Sequence, residues 1–125
     1  MFSRPRDVSI FRPHANEATR EALHCDLKAP DLELVRVAKW HGQVVAVYQL
    51  TQMTETEFAL VSIHVEAGYR RKGLGTWMLG HAIGLAEARG GRSIEAVFAE
   101  VRRFFERRGF NPRKNGVLRL EVQPE

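Results

Sequence analysis

Two spacings of apolar residues take turns along the chain, and each change of spacing marks the border of an element. Over residues 8–11 apolar and polar positions alternate before Arg12-Pro13, which predicts a short first strand running into a loop. Asn16, followed by Glu17 and by Ala18, Ala22 and Leu23 at helical spacing, predicts one capped helix to about Leu27, closed by Pro30. Alternation returns over residues 32–40, and His41-Gly42 turns the chain into residues 43–50, a β-hairpin. Residues 58–65 are β-branched and apolar except for Ser62 and His64, the composition of a central strand covered on both faces. Over residues 74–89 apolar residues recur at Leu74, Met78, Ala82 and Leu85, with Leu79, Ile83 and Ala86 beside them, and Gly90-Gly91 stops this longest helix. Residues 94–98 read as a strand and residues 117–122 as the last one. Between them, residues 99–108 read as an amphipathic helix burying Val101, Phe104 and Phe105 and ending at Gly109. The order β-α-β-β-β-α-β-α-β predicts an α/β fold: a mixed sheet with helices on its faces and a single short helix as its first arm.

Size leaves room for one such sheet. A chain of 125 residues buries roughly two thirds of its unfolded surface, so residues 1–125 are expected to form one domain without metal or disulfide staples. The one cysteine, Cys25, has no partner thiol, and the first residues lack the apolar run of a secretory signal, so a reducing cytoplasm is the expected setting. The longest charge-free stretches, residues 40–54 and 73–86, are shorter than the roughly 20 apolar residues of a spanning helix, so no membrane span is expected. The formal net charge of +4 is unevenly spread: residues 1–66 carry 7 Lys/Arg against 9 Asp/Glu, and residues 67–125 carry 12 against 6. A polyanion is expected against the second half, and a nucleic acid or a phosphorylated small molecule would answer to the same Coulomb attraction.

The segment Val65-Glu66-Ala67-Gly68-Tyr69-Arg70-Arg71-Lys72-Gly73-Leu74-Gly75-Thr76 joins the central strand to the longest helix. Glycines two apart let the backbone turn tightly and bring its N–H groups to a ligand, and the helix points its positive end at the same spot. Three cations precede it, which makes the segment a phosphate cradle. A Walker loop would need Lys-Ser/Thr where Leu74-Gly75 stand, and a dinucleotide fingerprint would need Gly or Ala where Met78 stands. The segment resembles the pyrophosphate motif of the GNAT N-acetyltransferases, Gln/Arg-x-x-Gly-x-Gly/Ala, with Arg70, Gly73 and Gly75 in its fixed positions. Residues 104–110, Phe-Phe-Glu-Arg-Arg-Gly-Phe, are similar to that family's second signature. The resemblance implies an acyl-CoA N-acyltransferase fold in which two parallel strands splay apart around coenzyme A. It places the backbone of Ile63 and Val65 against pantetheine and the amides of Arg71, Lys72, Gly73, Leu74, Gly75 and Thr76 around the pyrophosphate, with Arg70 and Lys72 screening its charge. The implied reaction carries an acetyl or similar acyl group from acetyl-CoA to an amine, with no metal.

Four departures from the family pattern stand out. Phe105 holds the place of the usual general-acid Tyr, and Phe98 the place of an Asn that helps hold pantetheine; the two rings are expected either to line the cofactor wall or to pack in the core. Val61 and Ala59 stand where a general base is common, leaving His64 and Glu57 as the candidate catalytic groups. Residues 15–31 accommodate one helix where two usually wall the acceptor site, which suits a protein amine, a small amine in a site completed by a homodimer partner, or no acceptor at all. An acetyl-CoA sensor that has lost its acid and base is therefore a second expectation. A nucleic-acid module using Arg102, Arg103, Arg107 and Arg108 is a third, although cations at a helix end are also what its dipole favours. The five histidines show no metal-ligand spacing.

Overall fold

The computed structural model describes residues 8–13, 32–70, 73–96, 102–113 and 117–122. The helix expected over residues 16–27 lies outside them, as do Arg71, Lys72, Phe98 and the first residues of the helix expected from residue 99. The strands are β1 (Ser9–Phe11), β2 (Val35–Trp40), β3 (Gln43–Gln52), β4 (Glu57–Val65), β5 (Ser93–Ala96), β6 (Asn111–Pro112) and β7 (Leu118–Glu121). The helices are α1 (Leu74–Ala88) and α2 (Arg102–Glu106). The strands form one sheet in the order β1-β2-β3-β4-β5-β7-β6, with β4 at its centre. Among the described residues only the β4–β5 pairing is parallel. The mixed sheet agrees with the expected fold class and adds β6, two residues that pattern alone does not reveal. Residues 32–34 form a 3-10 turn instead of the first residues of β2.

His41 and Gly42 both take left-handed backbone angles, φ 51° and 77°, as a two-residue type I′ turn requires, and they set β2 against β3. The β3–β4 register then shifts: Leu50 faces Leu60 while Gln49 faces Ser62, so Val61 is an extra residue. Strict alternation puts Phe58, Leu60, Ser62 and His64 on one face. The bulge reverses this after residue 61, and Ile63 and Val65 join the face of Phe58 and Leu60 while Ser62 and His64 move to the other. On the first face Tyr48, Leu50, Phe58, Leu60 and Ile94 pack with Leu74, Met78, Leu79, Ala82 and Ala86 of α1. Val35, Val37 and Val47 form a separate buried cluster.

Both helices end the same way. The N–H of Gly91 reaches the Ala86 carbonyl at 2.8 Å across left-handed Gly90, and the N–H of Phe110 reaches the Phe105 carbonyl at 3.1 Å across left-handed Gly109, each a Schellman closure. At the second, the Phe105 and Phe110 rings meet at 5.2 Å, the hydrophobic contact that accompanies the motif. At the first there is no room for a side chain: a Cβ on Gly91 falls 2.8 Å from the Ala86 carbonyl oxygen and 2.9 Å from the Phe58 ring. Gly91→Ala should therefore lower the unfolding free energy by about 1–3 kcal/mol, the range for overpacking; an unchanged urea midpoint contradicts this packing.

A polar pair ties α1 to β3. The buried Tyr48 hydroxyl lies 2.6 Å from His81 Nδ1. Burial raises the Tyr48 pKa, and burial followed by the charge of Arg36 lowers that of His81, so Tyr48 keeps its proton and donates it to a neutral imidazole. A histidine whose folded pKa lies below its unfolded value of about 6.5 contributes fully above that pH. The contribution is lost as pH falls from there through the folded pKa, because the unfolded chain takes the proton first. Unfolding free energy measured from about pH 8 down to 5 should fall more for the wild type than for His81→Gln; equal slopes contradict the assignment.

Candidate functional site

The parallel pairing of β4 with β5 runs from Glu57↔Ser93 to Leu60↔Ala96. From Val61, the bulge residue, to Val65, β4 has no partner on that side among the described residues. A cleft of about 820 Å³ opens there, outside the carboxyl end of the parallel pair, where ligands of open α/β sheets bind. Its walls are Ile63, His64 and Val65 from β4, Arg70 and Gly73 from the following turn, Gly75 and Thr76 from α1, and Phe104, Arg107 and Arg108 from α2 and the turn after it.

The cradle follows from its glycines. Gly73 stands at the N-cap of α1 with φ 80° and ψ 5°, a left-handed conformation that glycine adopts without Cβ strain, and no side chain caps the helix. Its carbonyl receives the N–H of Trp77 at 3.0 Å, so the amides of Leu74, Gly75 and Thr76 have no acceptor within the helix. α2 packs over the first turn of α1: a Cβ on Gly75 would meet the Phe104 ring at 3.4 and 3.5 Å, ordinary van der Waals contact. A helix N-terminus with three such amides carries roughly half a positive charge.

Three arginines add to that charge. Arg70 turns back over the strand end, its Nε donating to the Val65 carbonyl at 2.9 Å. Arg108 bridges the two helices, with Nε 3.1 Å from Thr76 Oγ1, Nη2 also donating to that oxygen and Nη1 2.8 Å from the Phe104 carbonyl. Its guanidinium lies 3.9 Å from the centroid of the Phe104 ring, and burial, then the neighbouring charge of Arg107, lowers its pKa.

Of the residues expected from the sequence, Ile63, Val65, His64, Arg70, Gly73, Gly75 and Thr76 come together on this cleft. Leu74 is buried beneath it and offers only its backbone. Arg71, Lys72 and Phe98 lie outside the described residues. His64 Nε2 stands 3.4 Å from Glu66 Oε1, and the buried Ser62 Oγ has no hydrogen-bond partner among the described residues.

Two residues are not brought to the cleft. Glu57 sits at the opposite end of β4, roughly 26 Å of extended strand from Val65. There it receives the Thr54 hydroxyl at 3.2 Å and stands 3.9 Å from Arg119. Phe105 is fully buried, edge-on to Phe104 and to Phe110 at 5.2 Å each, because the Schellman closure draws it toward Phe110. The cleft-facing ring is Phe104 instead. Phe104, Arg107 and Arg108 were not anticipated as a set, yet positions i, i+3 and i+4 share a helical face and Phe105 lies about 100° round it.

Residues 5–110 match the model of the Acetyltransferase (GNAT) family. No curated protein matches the sequence. Among solved structures, N-acetylglutamate synthase from Neisseria gonorrhoeae, complexed with coenzyme A and N-acetyl-glutamate, superposes with a TM-score of 0.83 at 15% identity over 98% of this chain. The chain spans 37% of that enzyme's length. Ard1 from Thermoplasma volcanium gives 0.78 at 16% identity, covering 94% of this chain and 99% of that one. A GNAT family acetyltransferase from Elizabethkingia anophelis with acetyl-CoA bound gives 0.75 at 14% identity, covering 94% and 100%. At these identities the superpositions speak to the fold.

Proposed function

The chain belongs to the acetyltransferase (GNAT) family, and from that premise we propose that it binds acetyl-CoA, or a related acyl-CoA, between β4 and α2 and transfers the acyl group to an amine in a ternary complex. The observation that carries this reading is one of charge. An uncapped helix N-terminus and the arginines 70, 107 and 108 converge on a single cleft. The amides from Arg71 to Thr76 surround the pyrophosphate, with Arg70 and Lys72 screening its charge. The pantetheine arm lies along the backbone of Ile63 and Val65, beside Phe104.

In the reaction the amine nitrogen bonds to the thioester carbonyl carbon, the carbon–sulfur bond breaks, and coenzyme A leaves as a thiolate. Backbone amides of β4 near Val65 polarise the carbonyl. A thiol of pKa about 8.5 leaves near neutral pH without a dedicated acid, which suits a chain whose Phe105 has no proton to give. His64, or a water beside it, takes the proton of the attacking amine. Among the described residues no helix is long and apolar enough to cross a membrane, and an acyl-CoA donor with a lone Cys25 fits the cytoplasm. The acceptor is a small or protein amine, and a homodimer partner is the candidate to complete its pocket.

A sensor that binds acetyl-CoA without turnover is the second reading, favoured by the distance of Glu57 and the burial of Phe105. Thiol release from acetyl-CoA across a panel of small and peptide amines separates the two. Amine-dependent release supports transfer; saturable binding with background hydrolysis alone supports the sensor.

A further inference from the structure

Arg36, on β2, is the one charged side chain buried among the described residues, at 8% exposure. A guanidinium that deep is costly unless an anion neutralises it, and arginine is rarely found there unpaired. Arg12 and Arg89 pair with Glu33 at 3.6 and 3.7 Å, whereas Arg36 has no ion-pair partner among the described residues. Burial lowers its pKa, and the like charges of Arg12 and Arg89 lower it further against the pull of Tyr48 and Glu33.

Counting protons shows how an anion would be held. A guanidinium has five N–H donors. Both hydrogens of Nη1 are taken, by the carbonyls of Glu33 at 2.8 Å and Val35 at 2.7 Å. The Nε hydrogen and the two on Nη2 have no described acceptor. Nε–H and one Nη2–H run parallel, the edge of the fork that grips two oxygens of a single oxyanion.

The charges around this edge have the matching sign. Arg36 lies opposite Tyr48 on β3, and the Tyr48 hydroxyl donates to His81 Nδ1, so the neutral imidazole carries its own proton on Nε2 as a further donor. Arg89 stands at the C-cap of α1, where the carbonyls of Leu85, Ala86 and Glu87 already receive the N–H groups of Arg89, Gly90 and Gly91. Those bonds blunt the negative end of the helix. Three guanidiniums against the single carboxylate of Glu33 leave two positive charges, the complement of a dianion. From the cradle at Gly73, Arg89 is separated by the 15 residues of α1, roughly 22 Å.

We propose that Arg36, with Arg12 and Arg89, forms a second anion site, separate from the cleft, which takes a phosphate group as the free ion or on a small monoester. Arg36 grips two of its oxygens through Nε and Nη2, and the outer arginines balance the remaining charge. Glu33 holds those two arginines until the anion competes for them.

NMR titration of the full chain with inorganic phosphate and with glycerol phosphate, at about pH 8 and constant ionic strength, tests this, with acetate as the monoanionic control. Both phosphates should saturate one site and move the ring signals of His81, and acetate should not. Tighter binding of the monoester than of the free ion assigns the site to an ester; equal binding assigns it to the phosphate group alone. Arg36→Met should weaken phosphate by about 10- to 100-fold, the range for hydrogen bonds to a charged group. Should Arg36→Met fail to fold, the surface double variant Arg12→Gln/Arg89→Gln should weaken it too, while Glu33→Gln, which removes the competing carboxylate, should tighten it. Gly73→Asp, which disables the cradle, should leave this binding in place. No saturable phosphate binding, equal binding of acetate, unchanged affinity in Arg36→Met, or a loss in Gly73→Asp overturns the site.

Discussion

Gly73→Asp is expected to weaken acetyl-CoA binding by about 100-fold or more, to the edge of detection. Gly73 holds φ 80° at the mouth of the cradle, so any L-residue there carries left-handed strain of about 1–2 kcal/mol, somewhat less for Asp. The larger effect is charge. A carboxylate about 4 Å from a pyrophosphate oxygen is repelled by about 4 kcal/mol at an effective dielectric of 20, and each 1.4 kcal/mol is tenfold in affinity. Far-UV circular dichroism should stay unchanged, since Gly73 is half-buried and heads the helix instead of supporting its core. An affinity within about threefold of wild type would sink the assignment of the cradle.

Phe105→Ala is expected to remove about 3–5 kcal/mol of unfolding free energy, a large share of the 5–15 kcal/mol typical of a domain. Phe105 is wholly excluded from solvent and packs edge-on against Phe104 and Phe110. Its partner variant asks a sharper question. Phe105→Tyr restores the residue type usual in the family at this position, and if the ring faced the cleft it should speed turnover. Buried where it is, an added hydroxyl enters a close-packed apolar cluster, and Phe105→Tyr should cost about 1–3 kcal/mol of stability without raising the rate. Faster turnover at wild-type stability would put the ring in the cleft and contradict the packing around the Schellman closure.

Local rules account for most of what the pattern of residues foretold. The turn at His41-Gly42 needs only two left-handed residues, and α1 needs only apolar residues at helical spacing and a glycine stop. The cradle was legible for the same reason: a left-handed Gly73 and uncapped amides are properties of a strand–turn–helix joint. What escaped depends on partners far along the chain. The extra residue at Val61 is defined by Gln49 and Leu50 on another strand, and with strict alternation His64 is assigned to the face of Phe58. Asn111 and Pro112 count as a strand only because Arg119 and Leu118 pair with them. Arg108 reads in sequence as a cation at a helix end; only when Thr76, 32 positions earlier, is beside it does it become part of the cleft. Glu57 shows the opposite case: it lies in the same strand as Val65 but at the other end, and closeness in sequence does not say which end of a strand a group occupies.

The central claim is that the cleft between β4 and α2 takes an acyl-CoA by its pyrophosphate, and calorimetric titration of the wild-type protein with acetyl-CoA tests it most directly. One-site, saturable binding that weakens as salt is raised toward about 0.5 M, and that adenosine does not compete away, is the predicted result. No saturable heat at millimolar acetyl-CoA, or equal competition by adenosine, would contradict it.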